Sequence, residues 1–193
     1  LDVENRQFEL VQELADNVEL PVQVTIASGF PKGDKLEFIT QKVTELGASQ
    51  IWAFPADWSV AKWDGKKLCK KIEKLEKIAL GAAEQSKRNV VPSIKLFEKK
   101  ADFLDQLEQF DSIVVAYEES AKEGEAAALL QAVSGLEKGA KLLFIFGPEG
   151  GLSPAEVESF EAKGAVFAGL GPRILRAETA PLYALSALSV LLE

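Results

Sequence analysis

Short apolar runs alternate along this chain with longer segments of helical periodicity, and that alternation restricts the fold more than any other feature. Six runs of strand length stand at 21–28, 50–54, 93–97, 112–117, 141–146 and 165–170. Helical spacing marks about 34–46, 66–87, 101–109, 124–135, 154–163 and 178–192. In the first run Val22, Val24 and Ile26 alternate, whereas Leu36, Ile39 and Val43, or Leu68, Ile72, Leu75 and Ala79, recur three or four apart. A helix between two strands carries the chain back to the edge where it began, so the strands pair in parallel. The pattern predicts an α/β fold, with a mostly parallel sheet and helices on both faces. At 193 residues the chain is long enough for one good-sized core. Residues 1–20 stand outside the alternation and read as the tail of another element.

Two strand-to-helix junctions differ from the rest. Gly-Pro-Glu-Gly-Gly-Leu-Ser-Pro occupies 147–154, and Leu-Gly-Pro-Arg-Ile-Leu-Arg-Ala-Glu-Thr-Ala occupies 170–180. Ligands of parallel sheets bind beyond the carboxyl ends of the strands, so the two loops are expected to share one pocket. Ser153, Pro154 and Glu156 predict a capping box that opens the next helix. Neither a Walker lysine nor the G-x-G-x-x-G pattern is present, and Glu149 would repel phosphate. The first loop therefore suits a neutral or cationic ligand. In the second, Arg173 and Arg176 suit an anion such as an RNA phosphate. Simpler accounts remain open there: Thr179 or Glu178 could cap the last helix, and Arg176 could pair with Glu178.

The net charge of −8 gives a polyanion no average attraction, but the charge is uneven. From Lys62 to Arg88 nine basic residues face four acidic ones. Local patches decide such encounters, although a solvated helix face with pairs such as Glu73–Lys77 explains the run equally well. Arg88 follows Glu84-Gln85-Ser86-Lys87 at the end of this helix and is expected to face substrate at the sheet edge. Histidine is absent and Cys69 is the only cysteine, which argues against an imidazole base, a transition-metal site and an internal disulfide. No apolar run reaches the roughly 20 residues of a membrane helix. A cytoplasmic protein without membrane or metal partners is the expectation.

Several segments together resemble the SPOUT class of S-adenosylmethionine-dependent RNA methyltransferases, and within it the ribosomal RNA small subunit methyltransferase E family. They are Pro31-Lys32-Gly33-Asp34-Lys35 with Glu37, Thr44-Glu45-Leu46-Gly47, Glu84-Gln85-Ser86 with Arg88, Phe146-Gly147-Pro148-Glu149-Gly150-Gly151, and Leu170-Gly171-Pro172-Arg173-Ile174-Leu175-Arg176 with Glu178-Thr179-Ala180. The resemblance spans about residues 21–193 and implies a SPOUT methyltransferase domain there, with a C-terminal trefoil knot. Residues 1–20 would be the remnant of an N-terminal PUA-like RNA-binding barrel. The family's cofactor is S-adenosyl-L-methionine, which the backbone of Phe146, Gly147, Gly151, Leu170, Ile174 and Leu175 would cradle. Lys32 and Arg88 would meet RNA. The implied partners are 16S ribosomal RNA or the small ribosomal subunit and a second copy of the chain. Leu182, Leu185, Leu188 and Leu191 fit a dimer interface or an internal core equally. Ala177 stands where the family usually has threonine.

The implied reaction is methylation of uridine N3. It requires loss of the N–H proton and an in-line approach of nitrogen to the methyl group. Arg173 or Arg176 is expected to steady the developing negative charge, and Glu178 is the nearest carboxylate that could take the proton. Two rival readings are a non-catalytic RNA- or ribosome-binding module of the same fold and a nucleotide-binding enzyme.

Overall fold

A computed structural model describes residues 18–117 and 126–192. Its elements run β1 (Gln23–Gly29), α1 (Lys35–Glu45), β2 (Gln50–Phe54), α2 (Gly65–Gln85), β3 (Ser93–Leu96), α3 (Lys100–Leu104), β4 (Ser112–Ala116), α4 (Ala126–Ser134), β5 (Lys141–Phe146), α5 (Pro154–Glu161), β6 (Val166–Ala168) and α6 (Thr179–Leu192). The expected helix over 101–109 breaks after Leu104 into a 3-10 turn at Leu107–Gln109, which keeps Phe103 and Leu107 both buried. The last strand is shorter than its apolar run because β6 pairs on one side only, with β4. The barrel remnant expected at 1–20 lies outside the described residues except for 18–20.

All six strands form one sheet in the order β3-β2-β1-β5-β4-β6, and every pairing is parallel. From β1 the chain steps outward through β2 to β3, then crosses to the other half of the sheet. Right-handed crossovers place helices that step one way on one face and those stepping back on the other. The two cores bear this out. Val24, Ile26, Leu142, Phe144 and Phe146 pack with Ile39 and Val43 of α1, Leu129 and Val133 of α4, and Leu185 and Leu188 of α6. Their neighbours in the strands, Ala27, Leu143 and Ile145, turn to the opposite face and pack with Phe103 and Phe160. Strands buried on both faces explain the continuous apolar runs, KLLFIF in β5 above all.

Leu185 and Leu188 are therefore core residues, fully buried against the sheet. The apolar side chains that α6 leaves exposed are Tyr183, Val190 and Leu191. No helix among the described residues is long and apolar enough to cross a membrane.

Candidate functional site

The loops after β5 and β6 meet at the carboxyl edge of the sheet, around a cavity of about 690 Å³. Its walls include Phe146, Gly147, Pro148, Glu149, Gly150 and Gly151 from one loop and Ile174, Leu175, Arg176 and Ala177 from the other. Ala116 and Tyr117 close it at the end of β4, while Lys35 reaches in from the start of α1 and Trp58 from the loop after β2. Its size is ordinary for a cofactor pocket. The glycines are there because the backbone doubles back on itself. A Cβ on Gly147 would lie 2.9 Å from the carbonyl carbon of Gly151, and one on Gly29 would lie 2.5 Å from the Pro148 ring. Neither position admits a side chain without moving the loop.

At the mouth, one cation joins three segments. Lys35, the first residue of α1, places its Nζ 3.0 Å from Glu149 Oε1 and 2.9 Å from Glu178 Oε2. The Lys32 backbone N–H also donates to Glu149, at 3.1 Å. Hydrogen bonding to Glu178 and Glu149 holds the Lys35 ammonium above its ordinary range. Burial pushes the Glu149 carboxyl up, but the bonds from Lys35 and the Lys32 N–H outweigh it and hold the group below the usual carboxylate range. The Lys35 bond does the same to Glu178, against a smaller opposing effect of burial. Both acids stay ionised with their charge shared by one lysine.

Behind the glycine loop stands a second brace. The capping box expected at Ser153 forms: its hydroxyl accepts from the Glu156 N–H at 3.2 Å, and Glu156 Oε2 accepts from the Ser153 N–H at 2.9 Å. The other carboxylate oxygen of this buried glutamate accepts from the Asp57 N–H at 2.9 Å, and the Ser153 hydroxyl donates to Asp57 Oδ2 at 2.6 Å. Lys100 pairs with Asp57 and lies 3.6 Å from Glu156. Its hydrogen bond to Asp57, with that from Ser153, lowers the Asp57 carboxyl. The loop after β2 is thus tied to the start of α5, which seats Trp58 over Gly150: a Cβ there would lie 3.0 Å from Trp58 Cβ.

The residues picked out from the sequence now divide. Phe146, Gly147, Gly151, Ile174 and Leu175 line the cavity, and Leu170 lines a smaller recess beside it, with Arg173. Arg176 is on the cavity wall and exposed. Glu178, the carboxylate expected to take the proton, lines neither recess and pairs with Lys35. Arg88, expected to face RNA at the sheet edge, is instead buried. Its guanidinium is 3% exposed, pairs with Glu19 and donates to the carbonyls of Thr44 and Ala48 at 2.8 Å. It fastens the end of α1 to the end of α2, and its burial leaves almost no surface for RNA. Lys32 is exposed. Sequence reasoning missed Lys35, Trp58 and Asp57. A signal existed for Lys35, since a cation opening a helix opposes the macrodipole and asks for a nearby anion.

The RNA methyltransferase domain family matches residues 18–189. The ribosomal RNA small subunit methyltransferase E of Bacillus subtilis (strain 168) is 57% identical over 174 residues, which are 90% of this chain and 68% of that protein. Among solved structures, a ribosomal RNA small subunit methyltransferase E from Neisseria gonorrhoeae bound to S-adenosyl methionine superposes with a TM-score of 0.75 at 29% identity, over 93% of this chain and 70% of that one. The A. aeolicus TrmH/SpoU tRNA modifying enzyme shares the fold, with a TM-score of 0.54 at 16% identity, over 88% of this chain and 75% of that one.

Proposed function

This chain belongs to the ribosomal RNA small subunit methyltransferase E family, and from that membership we propose that it methylates N3 of a uridine in 16S ribosomal RNA, using S-adenosylmethionine. The observation that carries the proposal is the backbone-walled cavity between the loops after β5 and β6, where Gly147 leaves no room for a side chain. Such a site suits a ligand held by peptide N–H and C=O groups against an apolar wall. Two carboxylates at its mouth share a single lysine and so leave net negative charge, which suits a sulfonium better than a polyphosphate.

When bound, S-adenosylmethionine supplies a methyl group on positively charged sulfur, which leaves that sulfur as the new N–C bond forms. In our reading the backbone of Phe146, Gly147, Gly151, Ile174 and Leu175 holds the adenosine and methionine portions, with Leu170 closing the adjoining recess. Arg176 faces the same cavity and steadies the negative charge left on uracil as the N3 proton departs to water. Arg173 stands beside it for the flanking phosphate. Glu178 anchors Lys35 instead of taking the proton, because the bond that keeps it charged also makes it a weak base. Lys32, exposed on the same edge, would meet RNA. A C-terminal trefoil knot, a homodimer built on α6, a cytoplasmic location and an N-terminal barrel remnant at 1–20 are the parts of this reading that rest on family resemblance.

The test is methyl transfer from labelled cofactor to small ribosomal subunits lacking the modification, followed by nucleoside analysis. Label in N3-methyluridine is expected; label in another nucleoside would overturn the assignment of the base. In single turnovers with bound RNA, Arg176→Ala should slow transfer, and an unchanged rate would remove Arg176 from the chemistry. Calorimetry addresses the nucleotide-enzyme alternative: S-adenosylhomocysteine should bind and ATP should not.

A further inference from the structure

α2 carries its charge against the preference of its own dipole. Its first turn holds Lys66 and Lys67, with no acid beyond the Asp64 cap, and its last turn holds no basic residue. A helix designed for stability alone would reverse this, since cations are favoured at the carboxyl end. Lys70, Lys71, Lys74 and Lys77 continue the series. At about 100° per residue the six lysines fall in one stripe about 140° wide, and Glu73 and Glu76 lie outside it. The stripe flanks the buried side formed by Leu68, Leu75 and Ala79. Among the described residues Lys66, Lys67, Lys70 and Lys77 have no acidic partner within ion-pair distance. The helical pairing that would explain the run as a self-neutralised surface, Glu73 with Lys77, is among the bonds that do not form.

The topology fixes where this stripe lies. α2 returns the chain from the carboxyl end of β2, so its lysine-rich amino end starts at the sheet edge that carries the cavity. Lys74 reaches Glu37 of α1 at 2.6 Å, and Lys71 stands 4.3 Å above the Trp63 ring, which packs on Phe30 just past β1. The Lys71 and Lys74 side of the stripe therefore borders α1, whose first residue Lys35 is on the cavity wall, and the loop after β1. Lys32 is exposed in that same loop.

We propose that the lysine stripe of α2, which begins at the cavity edge of the sheet, is a docking track for the phosphate backbone of the RNA substrate. This rests on the RNA methyltransferase reading above. In a protein of net charge −8 the substrate needs a local field to approach the site, and this face supplies one. The track binds phosphates and is indifferent to sequence; the choice of base stays with the cavity.

The experiment measures binding of a 16S ribosomal RNA transcript as a function of salt for the 193-residue chain, for the double variant Lys66→Gln with Lys70→Gln, and for a control at the opposite sheet edge, Lys138→Gln with Lys141→Gln. Glutamine keeps the helix propensity of lysine, and S-adenosylhomocysteine affinity confirms the fold and the cavity. The α2 variant is expected to lose about tenfold in RNA affinity and to lower the slope of log K against log salt by about 1.4–1.8, the value for two phosphate contacts. KM for small subunits should rise with kcat nearly unchanged. An α2 variant indistinguishable from the control in affinity and slope overturns the track, as does an unaltered chain that fails to bind the transcript. Should the chain bind RNA but methylate nothing, the methyltransferase reading falls while the slopes still decide the track.

Discussion

At the scale of single residues, the site depends on what is missing as much as on what is present. Gly147→Ala puts a methyl group 2.9 Å from the Gly151 backbone, so the loop between β5 and the α5 cap must shift to accommodate it. Calorimetry should show S-adenosylhomocysteine affinity falling by about tenfold or more, about 1.4 kcal/mol, with circular dichroism unchanged; undiminished affinity would argue against the cradle. Lys35→Met removes the only cation shared by Glu149 and Glu178 among the described residues. It should cost about 1 kcal/mol, as expected of a partly exposed network. Its pH dependence follows from the directions of the shifts. The two carboxyls titrate below their ordinary 4.5, so their contribution is present above that value and is lost as pH falls through the lowered ones. Lys35 titrates above its ordinary 10.5, so its contribution is present below that value and is lost as pH rises through the raised one. The difference in Tm between the native chain and Lys35→Met should thus hold through neutral pH and shrink below pH 4.5. A difference that persists undiminished in acid would mean that the clasp contributes nothing. Glycines were visible in the sequence as loop formers, but the partners that require them were not: Gly147 meets Gly151, and Gly29 meets Pro148 across more than half the chain.

At the scale of elements, α5 shows how local and distant causes meet. Its capping box was legible because Ser153, Pro154 and Glu156 interact within one turn. That the same Ser153 and Glu156 also hold Asp57 was not, because the chain must fold before residues nearly a hundred positions apart can touch. Ser153→Ala removes the cap and one bond to Asp57. It should cost at least the roughly 1 kcal/mol of a lost cap, or about 2–4 °C of Tm for a domain of this size. Ser159→Ala, whose hydroxyl donates to the Ala155 carbonyl one turn back in the same helix, serves as the comparison and should leave Tm nearly unchanged. Equal losses in the two variants would show that the tie to the loop after β2 carries no weight. α2 teaches the converse. Its lysines were plain in the sequence, but Arg88, read with them as a surface cation, is buried among the carbonyls of Thr44 and Ala48. A basic run does not reveal which of its members turns inward.

At the scale of the whole molecule, α6 leaves Tyr183, Val190 and Leu191 exposed, and Ile174 on the loop after β6 is 77% exposed. Exposed apolar side chains of this kind are where the homodimer of our reading would form. Sedimentation velocity should give a dimer for the native chain and a monomer for Val190→Asp, a position 84% exposed and so free of core packing. A native chain that sediments as a monomer at micromolar concentration would remove the dimer from the reading. The alternation of strands and helices determined the class of fold and the parallel sheet, because period and length are local properties and a helical crossover leaves the next strand no other direction. It also pointed to the two loops that wall the cavity, since strand ends are where such sheets bind. Only the tertiary structure decided the strand order, which of four leucines in α6 face the core, that Arg88 is a fastener, and that Lys35 joins two acids from separate loops. Each of these is a contact between residues far apart in sequence, and only folding sets such distances.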